Sequence, residues 1–210
     1  MNSLDGFDSL PCIIPILGFF LNVKKSINNN INGMCNLSIL NKEIIKKLKK
    51  IKILLTDVDC VLTDCGMYYD KSGDVMKKFH TRDGMGVTLL RKNNIPTIIV
   101  TKEKTPMVKQ WAQKMKIFKI FDGMQEKEKI LEKICKMLDV ESSQVAYIGD
   151  DVNDIGLLKK VGFSAVPNDA ISDAKKNSDY VCKAEGGNGV LREIVDMILT
   201  TQGLNVNFSK

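Results

Sequence analysis

Four short runs of apolar residues, many of them β-branched, place the strongest limit on how this chain can fold. The runs cover residues 51–56 (IKILLT), 97–100 (TIIV), 145–148 (VAYI) and 163–166 (FSAV). A strand that is apolar at nearly every position is buried on both faces, as in a parallel sheet that helices cover. The four runs therefore predict the central strands of such a sheet.

Helical patterns lie between these predicted strands. Apolar residues recur at helical spacing through residues 128–138, and lysines and glutamates occupy the other side. Thr105 and Pro106 are typical of a helix start, with threonine as the cap and proline at the first helical position. Alternation of strands and helices predicts the α/β class, with a doubly wound, Rossmann-like parallel sheet and helices on both faces.

One segment interrupts this alternation. Residues 66–69 and 75–79 flank the glycine-containing turn 70–73, which predicts a β-hairpin directly after the first strand and its acidic loop. Only 36 residues separate Asp64 from Thr101, and 25 separate Thr101 from Lys127. Neither interval is long enough for a cap domain over the site, so we predict that the chain has none.

Length, charge and hydropathy limit the partners. The 210 residues suit one domain, and the net charge is +6. The lysines are spread along the chain without a basic, aromatic-rich stripe, so we expect no nucleic-acid partner; a small anionic substrate suits such a surface. No apolar run approaches the roughly 18 residues of a membrane span. We therefore expect no membrane partner and a cytoplasmic protein.

Residues 1–39 differ in composition from the rest of the chain. Residues 13–23 (IIPILGFFLNV) are apolar but follow acidic rather than basic residues, and residues 26–36 form an asparagine-rich linker. We expect a poorly ordered extension over residues 1–39, and a targeting role stays open. The domain would cover residues 40–203, and residues 204–210 would form a C-terminal tail.

The six cysteines are scattered along the sequence. They are Cys12, Cys35, Cys60, Cys65, Cys135 and Cys182. None forms a CxxC pair, and the single histidine cannot complete a zinc site with them. The scatter predicts reduced cytosolic thiols rather than a disulfide framework.

Polar and acidic residues follow several of the predicted strands. Asp57 and Asp59 follow the first strand, Thr101 follows the second, and a later one is followed by Asp150 within the sequence GDDVND. In an open parallel sheet, ligands bind outside the carboxyl ends of the strands, where these segments would meet. Crowded carboxylates need a cation between them, and oxygen ligands favour Mg²⁺. We therefore predict a magnesium site at this edge.

Taken together, the motifs resemble the haloacid-dehalogenase superfamily of phosphatases. The resemblance runs from about Leu40 to Gly203 and lies in DVDCVLTD, FHTRDGMG, IIVTKEKT, the first lysine of MQEKEK, YIGDDVNDIGLLKKVG and AEGGNGVLRE. It is strongest to the capless subfamily that acts on keto-sugar acids, the 3-deoxy-D-manno-octulosonate 8-phosphates and nonulosonate 9-phosphates. It implies an Mg²⁺-dependent phosphatase acting on a phosphorylated sugar acid.

The resemblance also implies catalytic roles. Asp57 would be the nucleophile that forms an aspartyl-phosphate. Asp59 would protonate the leaving sugar oxygen and then deprotonate the attacking water. Thr101 and Lys127 would bind the phosphoryl oxygens, where charge develops in the transition state.

The same resemblance implies a set of metal ligands. Mg²⁺ would be held by the carboxylates of Asp57 and Asp150 and by the backbone carbonyl of Asp59. Asp151 and Asp154 would lie around these ligands and orient them.

Substrate recognition without a cap would depend on assembly. The resemblance implies a homotetramer in which hairpins associate and a neighbouring subunit completes the site. The implied substrate-binding residues are His80, Thr81, Arg82, Asp83 and Gly84 after the hairpin, and Gly187 and Arg192 near the C-terminus. For Gly187, an ordinary glycine turn before the last helix is the alternative.

Two positions depart from the family pattern. Cys60 stands where the family usually has glycine, which affects the loop conformation and the expected rate. Lys102 and Glu103 stand where the eight-carbon enzymes typically have Gly-Arg. Glu103 together with Lys114 is similar to the nine-carbon branch, so we favour a nonulosonate 9-phosphate as the substrate over an octulosonate 8-phosphate.

Three other functions are alternatives to this one. A non-catalytic assembly domain, like those fused to acylneuraminate cytidylyltransferases, is disfavoured because the acids and Lys127 are retained. A sugar phosphomutase would need a cap to exclude water. A phosphatase with low selectivity for its sugar stays open.

Overall fold

The computed structural model describes residues 41–204. Eight strands are present in this range: β1 (Ile53–Thr56), β2 (Tyr68–Asp70), β3 (Gly73–Met76), β4 (Thr97–Val100), β5 (Lys119–Phe121), β6 (Val145–Ile148), β7 (Phe163–Val166) and β8 (Tyr180–Val181). Seven α-helices accompany them: α1 (Lys42–Leu48), α2 (Thr81–Lys92), α3 (Pro106–Met115), α4 (Leu131–Leu138), α5 (Ile155–Leu158), α6 (Ser172–Lys176) and α7 (Val190–Gln202). All four strands predicted from apolar runs are present.

Six of the strands form one parallel sheet in the order β5-β4-β1-β6-β7-β8. The order reverses at β1, because the chain passes to β4 and β5 on one side and to β6, β7 and β8 on the other. Such a switch point opens a crevice at the carboxyl ends of the central strands. The loops that follow β1, β4 and β6 meet there.

Alternate residues of the strands point into two separate hydrophobic layers. Leu54 belongs to one layer together with apolar residues of α2 and α7, whereas Ile53 and Leu55 belong to the other, together with residues of α4. All four residues of β1 are buried, as are all four residues of β4, β6 and β7. This two-sided burial confirms the predicted doubly wound α/β fold.

Helix starts follow the local sequence. The Thr105 hydroxyl accepts a 3.3 Å hydrogen bond from the backbone N–H of Val108, and Pro106 is the first residue of α3, as predicted. The helix predicted for residues 128–138 is divided: a 3₁₀ turn covers Lys127–Ile130 and α4 follows it. Lys127 thus lies on a tight turn at the start of the helical segment, not within a regular helix.

The predicted hairpin is present as the antiparallel pair β2 and β3, with a register shift between Tyr68 and Tyr69. The Asp70 carboxylate closes the turn by accepting a 2.7 Å hydrogen bond from the Ser72 backbone N–H. The strands are shorter than predicted, and the return segment continues to an isolated bridge between Phe79 and Thr63. No separate cap domain is found among residues 41–204.

Two sequence predictions concern residues that the structure does not describe. The proposed extension 1–39 and nearly all of the tail 204–210 lie outside the described residues, and the boundary near residue 40 stays a prediction. Within residues 41–204, no helix is both long enough and apolar enough to cross a membrane. The cytoplasmic location also stays a prediction.

Candidate active site

Three of the predicted site residues are placed by the ends of adjacent strands. Asp57 directly follows β1, and its backbone N–H donates a 2.9 Å hydrogen bond to the carbonyl of Ile148 in β6. Thr101 directly follows β4, and its backbone N–H donates a 2.9 Å hydrogen bond to the carbonyl of Phe121 in β5. Asp150 lies two residues beyond the end of β6. Parallel pairing therefore brings together residues that are far apart in sequence.

Lys127 connects the loop after β1 to the loop after β6. Its side chain is fully buried, and its ammonium group forms ion pairs with Asp57 and with Asp154, the latter at 2.7 Å. The Asp57 carboxylate also accepts a 2.7 Å hydrogen bond from the Val58 backbone N–H. A fully buried lysine is rare unless it is paired with acids, so Lys127 is a part of this site and not a surface lysine.

Asp154 organises the loop after β6. One of its oxygens accepts hydrogen bonds from Lys127 and from the Tyr147 hydroxyl, the latter at 2.6 Å. The other oxygen accepts from the backbone N–H groups of Asp150 and Asp151, at 2.8 and 3.2 Å. With both oxygens occupied by protein donors, Asp154 fixes the loop that presents Asp150.

A group of three carboxylates could hold a cation. Asp57, Asp150 and Asp154 are all buried, and one oxygen from each lies within 4.8 Å of the others. Acids this close repel one another unless a positive charge lies between them, and an all-oxygen set suits a hard divalent ion such as Mg²⁺. The residues therefore fit the predicted metal.

Burial and mutual repulsion raise the proton affinity of this group. Burial, followed by the charge of Asp154, raises the pKa of Asp57 from 3.8 to about 7, although Lys127 opposes the shift. Burial and then the charges of Asp57 and Asp154 raise the pKa of Asp150 to about 8. Burial lowers the pKa of Lys127, but the two acids beside it outweigh burial, so this pKa is raised and the ammonium stays charged.

Asp57 and Asp150 line a cavity of about 340 Å³ that is open to solvent. The loops after β1, β4 and β6 form its floor, and the hairpin contributes one wall. The lining residues are Asp57, Asp59, Cys60, Cys65, Met67, Tyr69, Asp74, Lys77, Thr101, Lys102, Glu103, Asp150, Asp151, Val152 and Asn153. A phosphate ester could enter this cavity and reach Asp57.

The predicted substrate-binding residues are more dispersed. Within residues 41–204 of one chain, Glu103 lines the cavity and the other eight do not. His80 precedes α2, and Thr81 is the first residue of that helix. Lys114 lies in α3 and lines a different groove, beside Trp111. Within one chain, Lys114 therefore does not share the cavity with Glu103 as predicted. The predicted roles of residues 80–84, Gly187 and Arg192 would need a neighbouring subunit and stay predictions.

The C-terminal residues contact the helix that follows the hairpin. The Asp83 carboxylate is buried and accepts a 2.8 Å hydrogen bond from the backbone N–H of Arg192, and burial raises the pKa of Asp83 to about 6. The guanidinium of Arg192 binds Asp196. Gly187 packs tightly on the loop after β1, since an added Cβ would lie 2.5 Å from the backbone nitrogen of Asp64.

The prediction of reduced thiols is wrong for one cysteine pair. Cys60 and Cys65 form a disulfide in the loop after β1, with Cα atoms 4.3 Å apart. The sequence pattern could not indicate this pairing, because it arises from a tight fold of the loop. Cys60 has a φ of 60°, a conformation that favours glycine. Among the described residues, Cys135 and Cys182 are free.

Two residues of this site were not predicted from the sequence. The run VAYI predicts Tyr147 only as a buried strand residue, and Lys77 is one of many lysines in the sequence. Lys77 donates a 2.5 Å hydrogen bond to the Asp59 carboxylate. Neither role has a sequence signal of its own, because each depends on a contact across the fold.

The fold and the acidic cluster together define a haloacid dehalogenase-like hydrolase. A family model with that description matches residues 98–194. The 3-deoxy-D-manno-octulosonate 8-phosphate phosphatase KdsC of Haemophilus influenzae is 37% identical over 158 residues, covering 75% of this chain and 88% of the relative. The Escherichia coli K12 enzyme of the same name is 32% identical, covering 77% and 86%.

The chain is also similar to solved structures of phosphatases that carry nearly the same name as these relatives. The Moraxella catarrhalis 3-deoxy-D-manno-octulosonate 8-phosphate phosphatase, in complex with magnesium, phosphate and KDO, has a TM-score of 0.76 and 34% identity, covering 78% of this chain and 94% of that one. The cobalt-bound H. influenzae phosphatase has a TM-score of 0.73 and 38% identity, covering 75% and 92%. The chain belongs to the haloacid-dehalogenase superfamily, in its capless keto-sugar-acid phosphatase subfamily. The predicted fold, family and enzyme class, a phosphoric monoester hydrolase, are confirmed.

Proposed function

We propose that this chain is an Mg²⁺-dependent phosphatase that removes the terminal phosphate from an eight- or nine-carbon α-keto sugar acid. The main support is one arrangement: Asp57 and Asp150 line an open cavity, and the buried Lys127 forms an ion pair with Asp57. This arrangement offers a nucleophile, a cation site and a phosphate-binding ammonium group within one small volume.

The metal would be held by the carboxylates of Asp57 and Asp150 and by the backbone carbonyl of Asp59. Bound there, Mg²⁺ would neutralise charge on the phosphate and on the acids. Asp154, which the Tyr147 hydroxyl and two backbone N–H groups hold in place, would keep Asp150 in position, and Asp151 would support the same loop.

In the first step, an oxygen of Asp57 would attack phosphorus and the bond to the sugar oxygen would break. Asp59 would give its proton to that leaving oxygen, and in the second step it would take a proton from the water that hydrolyses the aspartyl-phosphate. The Thr101 hydroxyl and the Lys127 ammonium would hold the phosphoryl oxygens. Phosphate-monoester hydrolysis is very slow without a catalyst, so these charges would provide much of the rate.

The choice of sugar rests on two observations that favour different substrates. The relatives named above act on 3-deoxy-D-manno-octulosonate 8-phosphate by name, which supports the eight-carbon compound. Glu103 lines the cavity, where it would repel a carboxylate and accept hydrogen bonds from sugar hydroxyls. This position supports a nonulosonate 9-phosphate as the second candidate.

Assembly would complete the substrate site. The hairpin exposes several large apolar side chains, with Met67 71% and Tyr69 61% exposed. A homotetramer that buries them, as predicted from the resemblance, would also bring residues of a second subunit to a cavity that lacks a cap. Residues His80–Gly84, at the start of α2, and the residues Gly187 and Arg192 would then act on a neighbouring site.

The test is a phosphate-release screen with purified protein, with Mg²⁺ and with EDTA, across eight- and nine-carbon keto-acid phosphates and simple sugar phosphates. We expect Mg²⁺-dependent release that is fastest with a keto acid. Asp57→Asn is nearly isosteric and should abolish turnover, while the exposed Asp173→Asn serves as the control. Substantial turnover by a folded Asp57→Asn variant would contradict the assigned nucleophile. Equal rates on all sugar phosphates would favour a phosphatase of low selectivity.

A further inference from the structure

The hairpin places a lysine against the predicted acid–base residue. Lys77 follows β3, and its side chain is only 6% exposed although the hairpin strands themselves are largely exposed. Its ammonium group lies 2.5 Å from an oxygen of Asp59 and 3.6 Å from an oxygen of Asp74 in β3. A lysine that is buried to this extent between two acids has a fixed position rather than a free, solvated one.

Asp59 depends on this lysine for its orientation. Its side chain is 34% exposed, and among the described residues Lys77 is the one that donates a hydrogen bond to its carboxylate. The neighbouring nucleophile is held differently, since Asp57 is bound by Lys127 and by the Val58 N–H. Each of these two carboxylates is therefore held by its own lysine, Asp57 by Lys127 and Asp59 by Lys77.

The loop carrying Asp59 and the segment carrying Lys77 are joined at a second point. Phe79 pairs with Thr63 in an antiparallel bridge, and its ring stacks on Trp111 of α3 at a centroid distance of 4.8 Å. This anchor lies two residues after Lys77 and fixes the return segment against the loop after β1. The hairpin is thus held in one orientation where its lysine meets Asp59.

We propose that Lys77 is a positioning residue for the phosphatase reaction: it holds the Asp59 carboxylate on the side of the cavity where the leaving alcohol departs and the attacking water arrives. The inference rests on the proposed function, because it takes the acid–base role of Asp59 from it. Lys77 does not bind the phosphoryl group in this assignment. Its removal lets Asp59 turn toward solvent, and proton transfer becomes slower while phosphate binding is kept.

A comparison of leaving groups tests this assignment. An alkyl phosphate has a poor leaving group that needs a proton, whereas 4-nitrophenyl phosphate releases an acidic phenol that does not. Lys77→Met removes the charge and retains most of the length. We compare kcat/KM, which covers the steps up to release of the alcohol and leaves out hydrolysis of the aspartyl-phosphate that both esters share. We expect Lys77→Met to lower kcat/KM for an alkyl phosphate by about tenfold, a part of the roughly 10²–10⁴-fold that general-acid catalysis contributes, and kcat/KM for the aryl ester by less than about threefold.

Three variants complete this measurement. Lys77→Arg keeps a donor and should restore the alkyl-to-aryl ratio. Lys78→Met changes the adjacent, half-exposed lysine, which pairs with Asp64, and should leave the ratio unchanged. Lys77→Met added to Asp59→Asn should cause no further loss with the alkyl ester, because both changes remove the same proton transfer. Equal losses with both esters, or a full further loss in the double variant, would overturn the proposal.

The role of Lys77 can be tested even if the proposed substrates are wrong. If keto-sugar-acid phosphates are not substrates, the same ratio can be measured with any alkyl phosphate that the protein hydrolyses. A crystal structure of Mg²⁺-loaded Lys77→Met gives a readout without turnover. We expect a displaced or poorly ordered Asp59 carboxylate there, and an Asp59 that keeps its position would overturn the proposal whatever the substrate is.

Discussion

The hydroxyl of Tyr147, in the middle of the parallel sheet, donates a 2.6 Å hydrogen bond to Asp154, whose carboxylate also binds the buried Lys127. Both side chains are completely buried. The strand thereby holds the carboxylate that fixes the Asp150 loop. Burial and the charge of Asp154 raise the pKa of the Tyr147 phenol well above its usual value, so the hydroxyl keeps its proton and remains a donor.

Tyr147→Phe removes this donor at almost constant volume. We expect the free energy of unfolding to fall by about 1–3 kcal/mol, because a buried acceptor loses a partner. Mg²⁺-dependent turnover should fall several-fold as the Asp150 loop loosens. Denaturant unfolding and phosphate release measure both effects, with Tyr68→Phe on the exposed hairpin, outside the cavity lining, as the control. An unchanged stability would mean that the hydrogen bond contributes nothing net.

Metal binding should depend on pH. The raised pKa values of Asp57 and Asp150, about 7 and about 8, mean that Mg²⁺ must displace protons from these groups. We expect the affinity for Mg²⁺ to weaken by at least about tenfold as the pH falls from about 8 to about 6. Calorimetric titration in buffers of different ionisation enthalpy would detect the released protons. Binding that is independent of pH across this range would contradict the prediction.

The raised pKa values of Asp57 and Asp150 also make the stability of the metal-free protein depend on pH. An aspartate whose pKa is lowered by folding stabilises the protein more as the pH rises, and these two aspartates do the reverse. Because the folded-state pKa values lie above the unfolded value of 3.8, the folded form keeps protons that the unfolded form has lost. The contribution of these groups to stability is therefore full below the unfolded pKa and is lost as the pH rises toward the folded pKa values. We expect the Tm measured in EDTA to fall as the pH rises, and Asp150→Asn should make this fall less steep. An equal slope of Tm against pH in the variant and the natural protein would contradict the prediction.

The central strands and their acidic loops could be predicted because each depends on a short local pattern. A run such as VAYI indicates a buried strand, and parallel pairing then brings Asp57, Thr101 and Asp150 to one edge. The contacts of Tyr147 and Lys77 could not be predicted, since they join segments whose relative positions only the folded chain defines. The Cys60–Cys65 pairing was missed for a related reason, as it depends on a left-handed turn.

The backbone at Cys60 provides a sharper test of that loop. Its φ of 60° costs a residue with a side chain roughly 1 kcal/mol relative to glycine. Cys60→Gly and Cys60→Ser both remove the disulfide, so their difference isolates the backbone effect. We expect the glycine variant to be the more stable by about 1 kcal/mol and to keep its turnover. A serine variant of equal or greater stability would contradict this account.

The exposed face of the hairpin should determine the oligomeric state. Light scattering at micromolar concentration should give the mass of a tetramer for the natural sequence. Met67→Glu combined with Val75→Glu places charge on two exposed apolar positions and should dissociate it, whereas Lys71→Glu in the turn should not. A natural protein that is monomeric and fully active would contradict the proposed assembly.

The selectivity for the sugar acid should depend on Glu103. An arginine at this position can pair with a substrate carboxylate in a bidentate manner, whereas a glutamate repels it. We expect Glu103→Arg to shift the ratio of kcat/KM toward the eight-carbon 8-phosphate and away from the nine-carbon 9-phosphate. If the natural protein already prefers the eight-carbon substrate by about tenfold, or about 1.4 kcal/mol, the nine-carbon assignment is wrong.

The reversal of strand order at β1 has a consequence for how such an enzyme can diversify. The proposed nucleophile and the acids proposed to bind the metal belong to loops anchored by the buried sheet, whereas one wall of the cavity is a two-stranded ribbon outside that sheet. Insertions or substitutions in that ribbon change what fits beside the phosphate without disturbing the hydrophobic layers. Exposed positions of the ribbon could therefore change by evolution or by protein engineering while the loops anchored by the sheet are retained, provided that Lys77 at the end of the ribbon is kept.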